Sequence, residues 1–337
     1  MIVDLRSDTV TRPTPGMLEA MMNARVGDDV FKEDPEINEL QREVAAYFGK
    51  EAGLFCPSGT MSNQIAIRCH TRPGDEVICA DVAHVYLYEG GGIASNSGSS
   101  VRLLKGDRGR LTAGEVRGAI LPDDDHLPRT RLVCLEDTVN KGGGCYYELS
   151  QIAAIAQVCH EHGLSLHLDG ARLFNALVET GYDPVEYASH FDSISICFSK
   201  GMGAPVGSVL IGSAAFMHEA RRVRKSLGGG MRQAGYLANA CRYALKNHTT
   251  LLKDDHRRAR AIGDLMHDHP QVKAVVPVET NIVIVELQNT TAAEFQERAR
   301  QLDVLCLPFG PDKIRFVTHL DFGDGHLEAM REAFAKW

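Results

Sequence analysis

The chain has 337 residues, of which 44% are hydrophobic and 24% charged, and its formal net charge is −8. This length suffices for one large core and a smaller domain, and the negative charge argues against nucleic acid or an anionic membrane as a partner. No apolar run approaches membrane-spanning length, and residues 1–6 lack a signal-peptide pattern. The nine cysteines form no C-x-x-C pair, which favours reduced thiols. We therefore expect a cytoplasmic protein.

The N-terminal region is predicted to be an extended arm followed by a helix. A strand-like opening leads to Pro13 and Pro15, whose fixed φ angles favour extended backbone before a helix that begins near Gly16. Apolar residues at helical spacing then predict a second helix over 36–48.

Strands and helices alternate along the next two hundred residues. Short apolar runs predict strands at 53–56, 76–79, 132–136, 164–169, from 193 to just before Lys200, and 208–211. Helical patterns follow at 57–64, 149–162 and 217–265, with a break at 228–230. This alternation favours an α/β fold, with a mostly parallel sheet covered by helices on both faces.

The pattern changes after about residue 250. Strands are predicted at 281–287 and 313–318, and helices at 291–302 and 324–336. We therefore expect a large domain over residues 1–250 and a small C-terminal α/β domain over residues 251–337.

Lys200 follows a predicted core strand, in a run where Gly201, Gly203 and Gly207 leave space. A lysine between two core strands is costly unless it is solvated, paired or chemically used. Desolvation lowers the pKa of a lysine and makes it a candidate for Schiff-base chemistry. The alternative is a lysine whose ammonium group reaches the surface at a strand terminus.

Polar residues follow four predicted strands at their carboxyl ends, where open α/β sheets bind ligands. They are Ser58-Gly59-Thr60, Glu136-Asp137, Asp169 and Lys200. This set matches the needs of pyridoxal 5′-phosphate: a helix N-terminus for the phosphate, a carboxylate for the pyridine nitrogen and an amine. Each has a structural alternative, because Ser58 would also cap a helix and Asp169 would also cap the next one.

Two further residues suit the ring of such a cofactor. Arg172, three residues after Asp169, either pairs with that carboxylate or donates to the phenolic oxygen of the ring. His84 offers a flat partner that would stack on the ring, although a lone histidine is often a structural residue.

Arginines supply the candidate anion-binding groups. Arg315 alternates with apolar residues on a predicted strand, so it points either to solvent or into a cleft, where its planar fork suits a carboxylate. Arg232 follows the three glycines at 228–230 and would reach a phosphate, even across a subunit interface. The basic run at 221–225 is typical of a solvated helix face.

Other catalytic templates are absent from the sequence. There is no P-loop, no dinucleotide-binding fingerprint and no nucleophile elbow. The histidines of His160-Glu161-His162 are too close together for a standard zinc site, so no metal is expected.

These motifs together resemble the threonine aldolases, which are pyridoxal-phosphate enzymes of fold type I, the aspartate aminotransferase fold. The resemblance extends from Asp4 to about Leu320. It rests on Asp4-Leu5-Arg6-Ser7-Asp8-Thr9-Val10-Thr11, Gly27-Asp28-Asp29-Val30, Pro57-Ser58-Gly59-Thr60-Met61-Ser62-Asn63, His167-Leu168-Asp169-Gly170-Ala171-Arg172, Ser199-Lys200-Gly201 and Gly228-Gly229-Gly230-Met231-Arg232-Gln233-Ala234-Gly235.

The resemblance implies a set of cofactor contacts. Lys200 would bind the cofactor covalently, and Asp169 would hold the proton of the pyridine nitrogen. Arg172 would face the phenolic oxygen, and His84 would stack on the ring. Ser58-Gly59-Thr60 would bind the phosphate.

It also implies substrate contacts and shared subunits. Ser7 and Arg315 would bind the substrate carboxylate, and His126 would lie near the β-hydroxyl group. Arg232 and Lys225 would come from a neighbouring subunit of a homotetramer.

The implied reaction is retro-aldol cleavage of a β-hydroxy-α-amino acid, so that L-threonine or L-allo-threonine gives glycine and acetaldehyde. The base is His84, His126 or a water molecule that they hold, and the sequence does not choose among them. β-Elimination, racemisation and a non-catalytic cofactor-binding oligomer are the alternatives.

Two loops depart from the pattern of the family. Asp137-Thr138-Val139-Asn140 stands where the family usually has Asn-Thr-His-Asn, and Phe31-Lys32-Glu33-Asp34 where it often has Tyr-Gly-Glu-Asp. Both departures bear on substrate preference more than on cofactor binding.

Overall fold

The computed structural model describes all residues from Met1 to Trp337. The strands are β1 (Val3–Asp4), β2 (Ala52–Cys56), β3 (Glu76–Ala80), β4 (Ser100–Leu104), β5 (Thr130–Glu136), β6 (Ser165–Gly170), β7 (Ser193–Cys197), β8 (Ser208–Gly212), β9 (Val272–Val275), β10 (Ile282–Leu287), β11 (Val304–Leu305), β12 (Leu307–Pro308) and β13 (Lys313–Val317).

The helices are α1 (Pro15–Met22), α2 (Pro35–Tyr47), α3 (Gly59–His70), α4 (His84–Leu87), α5 (Gly92–Ser97), α6 (Ala113–Ala119), α7 (Leu149–Glu161), α8 (Leu173–Thr180), α9 (Pro184–Ser189), α10 (Ala214–Ser226), α11 (Gly235–Asn247), α12 (Leu252–His267), α13 (Ala292–Gln301) and α14 (Asp324–Phe334). Short 3-10 helices cover Asp8–Val10, Asp29–Phe31 and Thr249–Leu251. No helix is both long and apolar enough to cross a membrane.

The main sheet has seven strands in the order β2-β8-β7-β6-β5-β3-β4. Only β8 runs antiparallel to its neighbours β2 and β7, so β2 points the same way as the parallel strands. The carboxyl ends of β2, β5, β6 and β7 therefore lie at one edge of the sheet. The predicted α/β class with a mostly parallel sheet is confirmed.

Both faces of this sheet are covered, because successive side chains of a strand point to opposite faces. On β2, Leu54 and Cys56 pack with α3 and α10, whereas Phe55 between them belongs to the larger core. On β8, Leu210 packs with Leu54 and Cys56 on the face covered by α3 and α10. Its neighbours Val209 and Ile211 belong to the larger core on the other face.

The C-terminal part has its own sheet and core. β12, β13, β10 and β9 form an antiparallel sheet, over which α12, α13 and α14 pack their apolar residues. β1 pairs with β11, and Val3 and Leu5 are buried in this same core. The N-terminal arm thus packs with the C-terminal part, while the domain boundary near residue 250 stays a prediction.

The long helical segment predicted over 217–265 is in fact three helices, α10, α11 and α12. α10 ends near Gly228, whose φ of 82° lies in the left-handed region. α11 ends at Asn247, and Nδ1 of the next residue, His248, contacts the carbonyl oxygen of Met202 at 2.8 Å. The second break was not predicted, because it depends on this contact between distant parts of the chain.

Candidate active site

Two adjoining cavities lie at the carboxyl edge of the main sheet and share His84 and Lys200. The inner cavity, of about 110 Å³, is lined by Gly59, Thr60, Asn63, His84, Asp169, Ala171, Cys197, Ser199 and Lys200. The outer cavity, of about 380 Å³, is lined by Ser7, Thr9, His84, Tyr88, Asn140, Arg172, Lys200, Leu307, Pro308, Phe309 and Arg315. A cavity of about 470 Å³ between α7 and residues 189–192 contains none of the predicted site residues.

Lys200 is half-buried and lies three residues beyond the end of β7. The chain turns sharply after it, since the amide of Gly203 donates to the carbonyl oxygen of Lys200 at 2.8 Å. Gly203 has a φ of 77°, which suits glycine. The turn presents the amine of Lys200 to both cavities.

Asp169 is a buried carboxylate on β6. Its Oδ2 accepts a hydrogen bond from Asn63 Nδ2 at 2.9 Å, and its Oδ1 accepts one from the amide of Ala171 at 3.1 Å. It borders the inner cavity together with Lys200. The acid of Asp169 and the amine-bearing residue Lys200, both predicted from the ends of strands, thus border one cavity.

Arg172 forms a buried, bidentate ion pair with Asp8 of the N-terminal arm. Its Nε and Nη2 donate to the two carboxylate oxygens at 2.8 and 2.7 Å. Burial alone would raise the pKa of Asp8, but the guanidinium group holds it well below its usual range. The sequence predicted Asp169 or the ring oxygen as the partner of Arg172, whereas the structure pairs Arg172 with Asp8.

His84 is the first residue of α4 and is held from two sides. Its amide donates to Glu136 Oε2 at 2.8 Å, and its Nδ1 lies 3.0 Å from Glu89 Oε1. Burial alone would lower the pKa of His84, but the bond to Glu89 and the charges of Asp169 and Glu136 raise it. Its ring lies 5.6 Å from that of Tyr88.

Arg315 is buried on β13 and points into the outer cavity, not to solvent. Its Nη1 donates to Asn140 Oδ1 at 2.7 Å and its Nη2 to the carbonyl oxygen of Arg6 at 3.1 Å. Burial and the neighbouring Arg172 lower its pKa to about 10. Nη1 and Nη2 each use one of their two N–H groups in these bonds, so this guanidinium keeps donors for a ligand. Ser7 lines the same cavity.

Four predicted residues lie outside both cavities of this chain. Ser58 is the N-cap of α3, where its Oγ accepts a hydrogen bond from the amide of Met61 at 3.2 Å. The His126 side chain is 93% exposed and contacts Asp124. Arg232 pairs with Asp28 at 3.0 Å, and Lys225 is exposed on α10. The roles of these residues stay predictions.

Of the two loops that depart from the family pattern, residues 137–140 reach the outer cavity through Asn140, whereas residues 31–34 line neither cavity. Val139 is buried in the main core. The Phe31 side chain is exposed, and Lys32 has a φ of 63°, in the left-handed region that favours the glycine of the family pattern.

Several residues of the site had no role in the sequence interpretation. Asp8 and Asn63 lie inside two of the motifs that carry the resemblance. The sequence does not show which residues their side chains contact. Glu89, Tyr88 and Phe309 belong to no motif, and only the folded chain brings them to the cavities.

The sheet order, the amine after β7 and the buried acid on β6 define a pyridoxal-phosphate enzyme of fold type I. A threonine aldolase of Leishmania major shares the fold with a TM-score of 0.85 at 22% identity, covering 99% of each chain. A putative L-allo-threonine aldolase of Listeria monocytogenes gives a TM-score of 0.81 at 23% identity, covering 99% of this chain and 96% of the other.

The sequence comparisons narrow this class. The β-eliminating lyase family matches residues 4–290. A probable low-specificity L-threonine aldolase of Arabidopsis thaliana is 42% identical, over 99% of this chain and 96% of its own. A low specificity L-threonine aldolase of Escherichia coli K12 is 40% identical, over 100% of this chain and 98% of its own. The chain therefore belongs to the β-eliminating lyase family, among the threonine aldolases.

The residues present fit pyridoxal 5′-phosphate, the cofactor of this family. A Cβ atom on Gly59 would lie 2.5 Å from Cys197 Sγ, so only glycine fits there and the first turn of α3 borders the inner cavity with bare backbone. A helix N-terminus of this kind binds phosphate. Asp169 and Lys200 complete the set within the same cavity.

Proposed function

We propose that the chain cleaves L-threonine and L-allo-threonine to glycine and acetaldehyde by a retro-aldol reaction. One observation carries the proposal. The cavity that holds Lys200 and Asp169 adjoins one lined by Arg315, whose Nη1 and Nη2 each keep a second N–H for a ligand. An amine and acid for the cofactor thus lie beside a receptor for an amino-acid carboxylate. The names of the relatives support the same reaction.

The cofactor-binding roles follow from the inner cavity. Lys200 supplies the amine that attaches the cofactor, and the carboxylate of Asp169 keeps the pyridine nitrogen protonated. The backbone of Gly59 and Thr60 binds the phosphate with Ser58 at the same helix end. When bound, the cofactor supplies an electron sink for the bond that breaks.

Two residues would orient the ring of the cofactor. His84 lies where it would stack on one face of the ring. Arg172 uses Nε and Nη2 for Asp8, which leaves Nη1 to donate to the phenolic oxygen.

Arg315 and Ser7 hold the substrate in the outer cavity. The remaining N–H groups of Arg315 Nη1 and Nη2 and the hydroxyl of Ser7 donate to the substrate carboxylate, which orients the Cα–Cβ bond for cleavage. A base then removes the β-hydroxyl proton, and this transfer contributes about 10²–10⁴-fold to the rate.

We also propose a homotetramer whose subunits share their sites, in a cytoplasmic setting. Arg232, Lys225 and His126 lie outside the cavities of their own chain, and the exposed Met22 and Phe31 offer apolar surface for contacts. All nine cysteines are free, as in reducing compartments. Full activity in a dilute monomer would contradict the shared sites.

The test is the product analysis of the holoenzyme with the four threonine stereoisomers. We expect glycine and acetaldehyde from L-threonine and L-allo-threonine. Ammonia and a keto acid would instead support β-elimination, the reaction that the family is named for. Lys200→Ala should lower cleavage by at least about 10³-fold, whereas Lys253→Ala, an exposed lysine of α12, should not. Normal cleavage by Lys200→Ala would refute the proposal.

A further inference from the structure

Glu89 is a buried carboxylate beside the inner cavity that has no role so far. Its side chain has no exposed surface, and no lysine or arginine pairs with it. It accepts hydrogen bonds from Asn63 Nδ2 at 2.9 Å, Gln64 Nε2 at 2.7 Å and His84 Nδ1 at 3.0 Å. A buried charge without a cationic partner is costly, so its placement against His84 calls for a functional reason.

The bond to Glu89 fixes the tautomer of His84. A carboxylate only accepts hydrogen bonds, so Nδ1 carries the proton, and the neutral ring has its lone pair on Nε2. The amide of His84 is held by Glu136, and the ring borders both cavities. Nε2 has no partner within the chain, so it is the atom that remains free for a substrate.

Asn63 connects Glu89 to the acid of the cofactor site. Its Nδ2 donates to both Glu89 Oε1 and Asp169 Oδ2, each at 2.9 Å. Flipping the amide would turn its oxygen against two carboxylates, so its Oδ1 must face His167 Nε2, at 3.2 Å. His167 Nδ1 contacts Ser193 on the other side, 2.8 Å from its Oγ and 3.2 Å from its carbonyl oxygen. The amide group of Asn63 thus donates to both carboxyl groups at once.

We propose that Glu89 is a positioning residue for the cleavage step: with Asn63 it holds His84 so that Nε2 accepts the β-hydroxyl proton. This inference rests on the proposed function. The hydroxyl proton moves to Nε2, and the O–H electrons form the aldehyde carbonyl. The Cα–Cβ bond breaks, and a bound cofactor would supply the electron sink for its electron pair. The imidazolium that results is balanced by the Glu89 carboxylate.

Several charged groups face His84 besides Glu89. Asp169 and Glu136 also raise its pKa, and Lys200, Arg172 and Arg315 line the same cavities. Tyr88 lies against the ring. The contribution of Glu89 must therefore be measured by changing Glu89 alone.

The test compares Glu89→Gln with the unaltered holoenzyme. Glutamine keeps the size and an acceptor for Nδ1–H but removes the charge, so the protonated imidazole loses a stabilising partner. We expect the acidic limb of kcat/KM for L-allo-threonine to move to lower pH by about one unit, with kcat about 10–100-fold lower. A ¹⁵N NMR titration of His84, assigned through His84→Gln, should show the same shift and a neutral form protonated on Nδ1.

A matched control is Glu76→Gln, which neutralises a buried carboxylate of β3 that pairs with Arg102 away from the cavities. It should leave the acidic limb and the His84 signals unchanged. If Glu89→Gln does not fold, Glu89→Asp keeps the charge but withdraws it from Nδ1. For Glu89→Asp, the acidic limb of kcat/KM should then stay near its normal pH, kcat should fall, and the NMR spectrum should show a second tautomer of His84.

Two results would overturn the inference: an acidic limb that Glu89→Gln leaves in place, or a neutral His84 protonated on Nε2 in the unaltered protein. Failure of the proposed function is distinguishable, because the unaltered holoenzyme would then release no acetaldehyde. The NMR titration would still report the bond between Glu89 and His84 in that case.

Discussion

Arg172 and Asp8 are 164 residues apart in the chain, yet they form a buried pair with two hydrogen bonds of 2.8 and 2.7 Å. Bidentate pairs of this geometry are strong and directional. The pair fastens the N-terminal arm, including Ser7, to the end of the strand that carries Asp169. Asn281 adds a weaker bond to the same carboxylate at 3.3 Å. The arm is therefore a structural part of the candidate active site.

Asp8→Asn should destabilise the protein by about 3–5 kcal/mol, because it leaves the buried guanidinium of Arg172 without its counter-charge. Urea unfolding of the holoenzyme measures this loss. Asp4→Asn, in the same arm, removes a half-exposed pair with Arg6 and should cost less than about 1 kcal/mol. Equal losses in the two variants would contradict the structural role of Asp8.

The same pair makes a prediction about acid stability. The pKa of Asp8 is lower in the folded than in the unfolded chain, so its contribution is complete above about pH 4 and decreases as the pH falls further. The difference in unfolding free energy between the unaltered protein and Asp8→Asn should thus shrink below about pH 4. A constant difference from pH 7 to pH 3 would contradict this assignment.

Arg315→Lys should raise KM for L-threonine by about 10–100-fold with a smaller change in kcat, because lysine cannot reproduce the planar fork. The lysine of this variant would lose the hydrogen bonds that Arg315 donates to Asn140 and to the carbonyl oxygen of Arg6. Steady-state kinetics measure the effect, and cofactor content should be normal. Arg300→Lys, an exposed residue paired with Glu297, is the control. An unchanged KM would exclude Arg315 as the carboxylate receptor.

Phe309 is expected to hold Arg315 in place. Its ring centroid lies 4.8 Å from the Arg315 guanidinium carbon and 4.2 Å from Lys141 Nζ. Such contacts are worth about 0.5–2 kcal/mol each, so Phe309→Leu should raise KM about 3–10-fold, whereas Phe309→Tyr keeps the aromatic face and should not. If leucine and tyrosine behave alike, the ring contributes only apolar surface.

The buried strands were predicted to within about two residues, because strands covered on both faces are continuous apolar runs. β4 was missed, since its residues are mostly exposed or half-buried and no such run marks it. The fold class followed from alternation alone. The second break in the segment 217–265 had no signal, because it depends on His248 reaching Met202.

The candidate site was predictable where a residue lies at the end of a strand, as Asp169 does, or just beyond it, as Lys200 does. The partner of Arg172 was not, because nothing in the sequence indicates that Asp8 returns to this edge across the small C-terminal sheet. The same applies to Glu89, whose three donors come from α3 and α4. The sequence pattern thus predicted which residues lie in the site, but not the hydrogen bonds that orient their side chains.

His70 and His167 contact the same hydroxyl, and they predict a loss of stability between pH 7 and pH 5. Ser193 Oγ lies 2.8 Å from His70 Nε2 and 2.8 Å from His167 Nδ1. Burial lowers the pKa of His70 to about 4 and that of His167 to about 3. Both are neutral when folded, so the unfolded chain takes up more protons as the pH falls below about 6.5.

His70→Gln should therefore reduce this pH dependence. Glutamine can still bond to Ser193 but takes up no proton on unfolding. Between pH 7 and pH 5 the unfolding free energy of the variant should therefore decrease less than that of the unaltered protein, by up to about 2 kcal/mol. Urea unfolding at the two pH values measures the difference. His267→Gln changes an exposed histidine at the end of α12 and should leave the dependence unchanged. If His70→Gln and His267→Gln gave the same slope, burial of His70 would not be the source of the acid sensitivity.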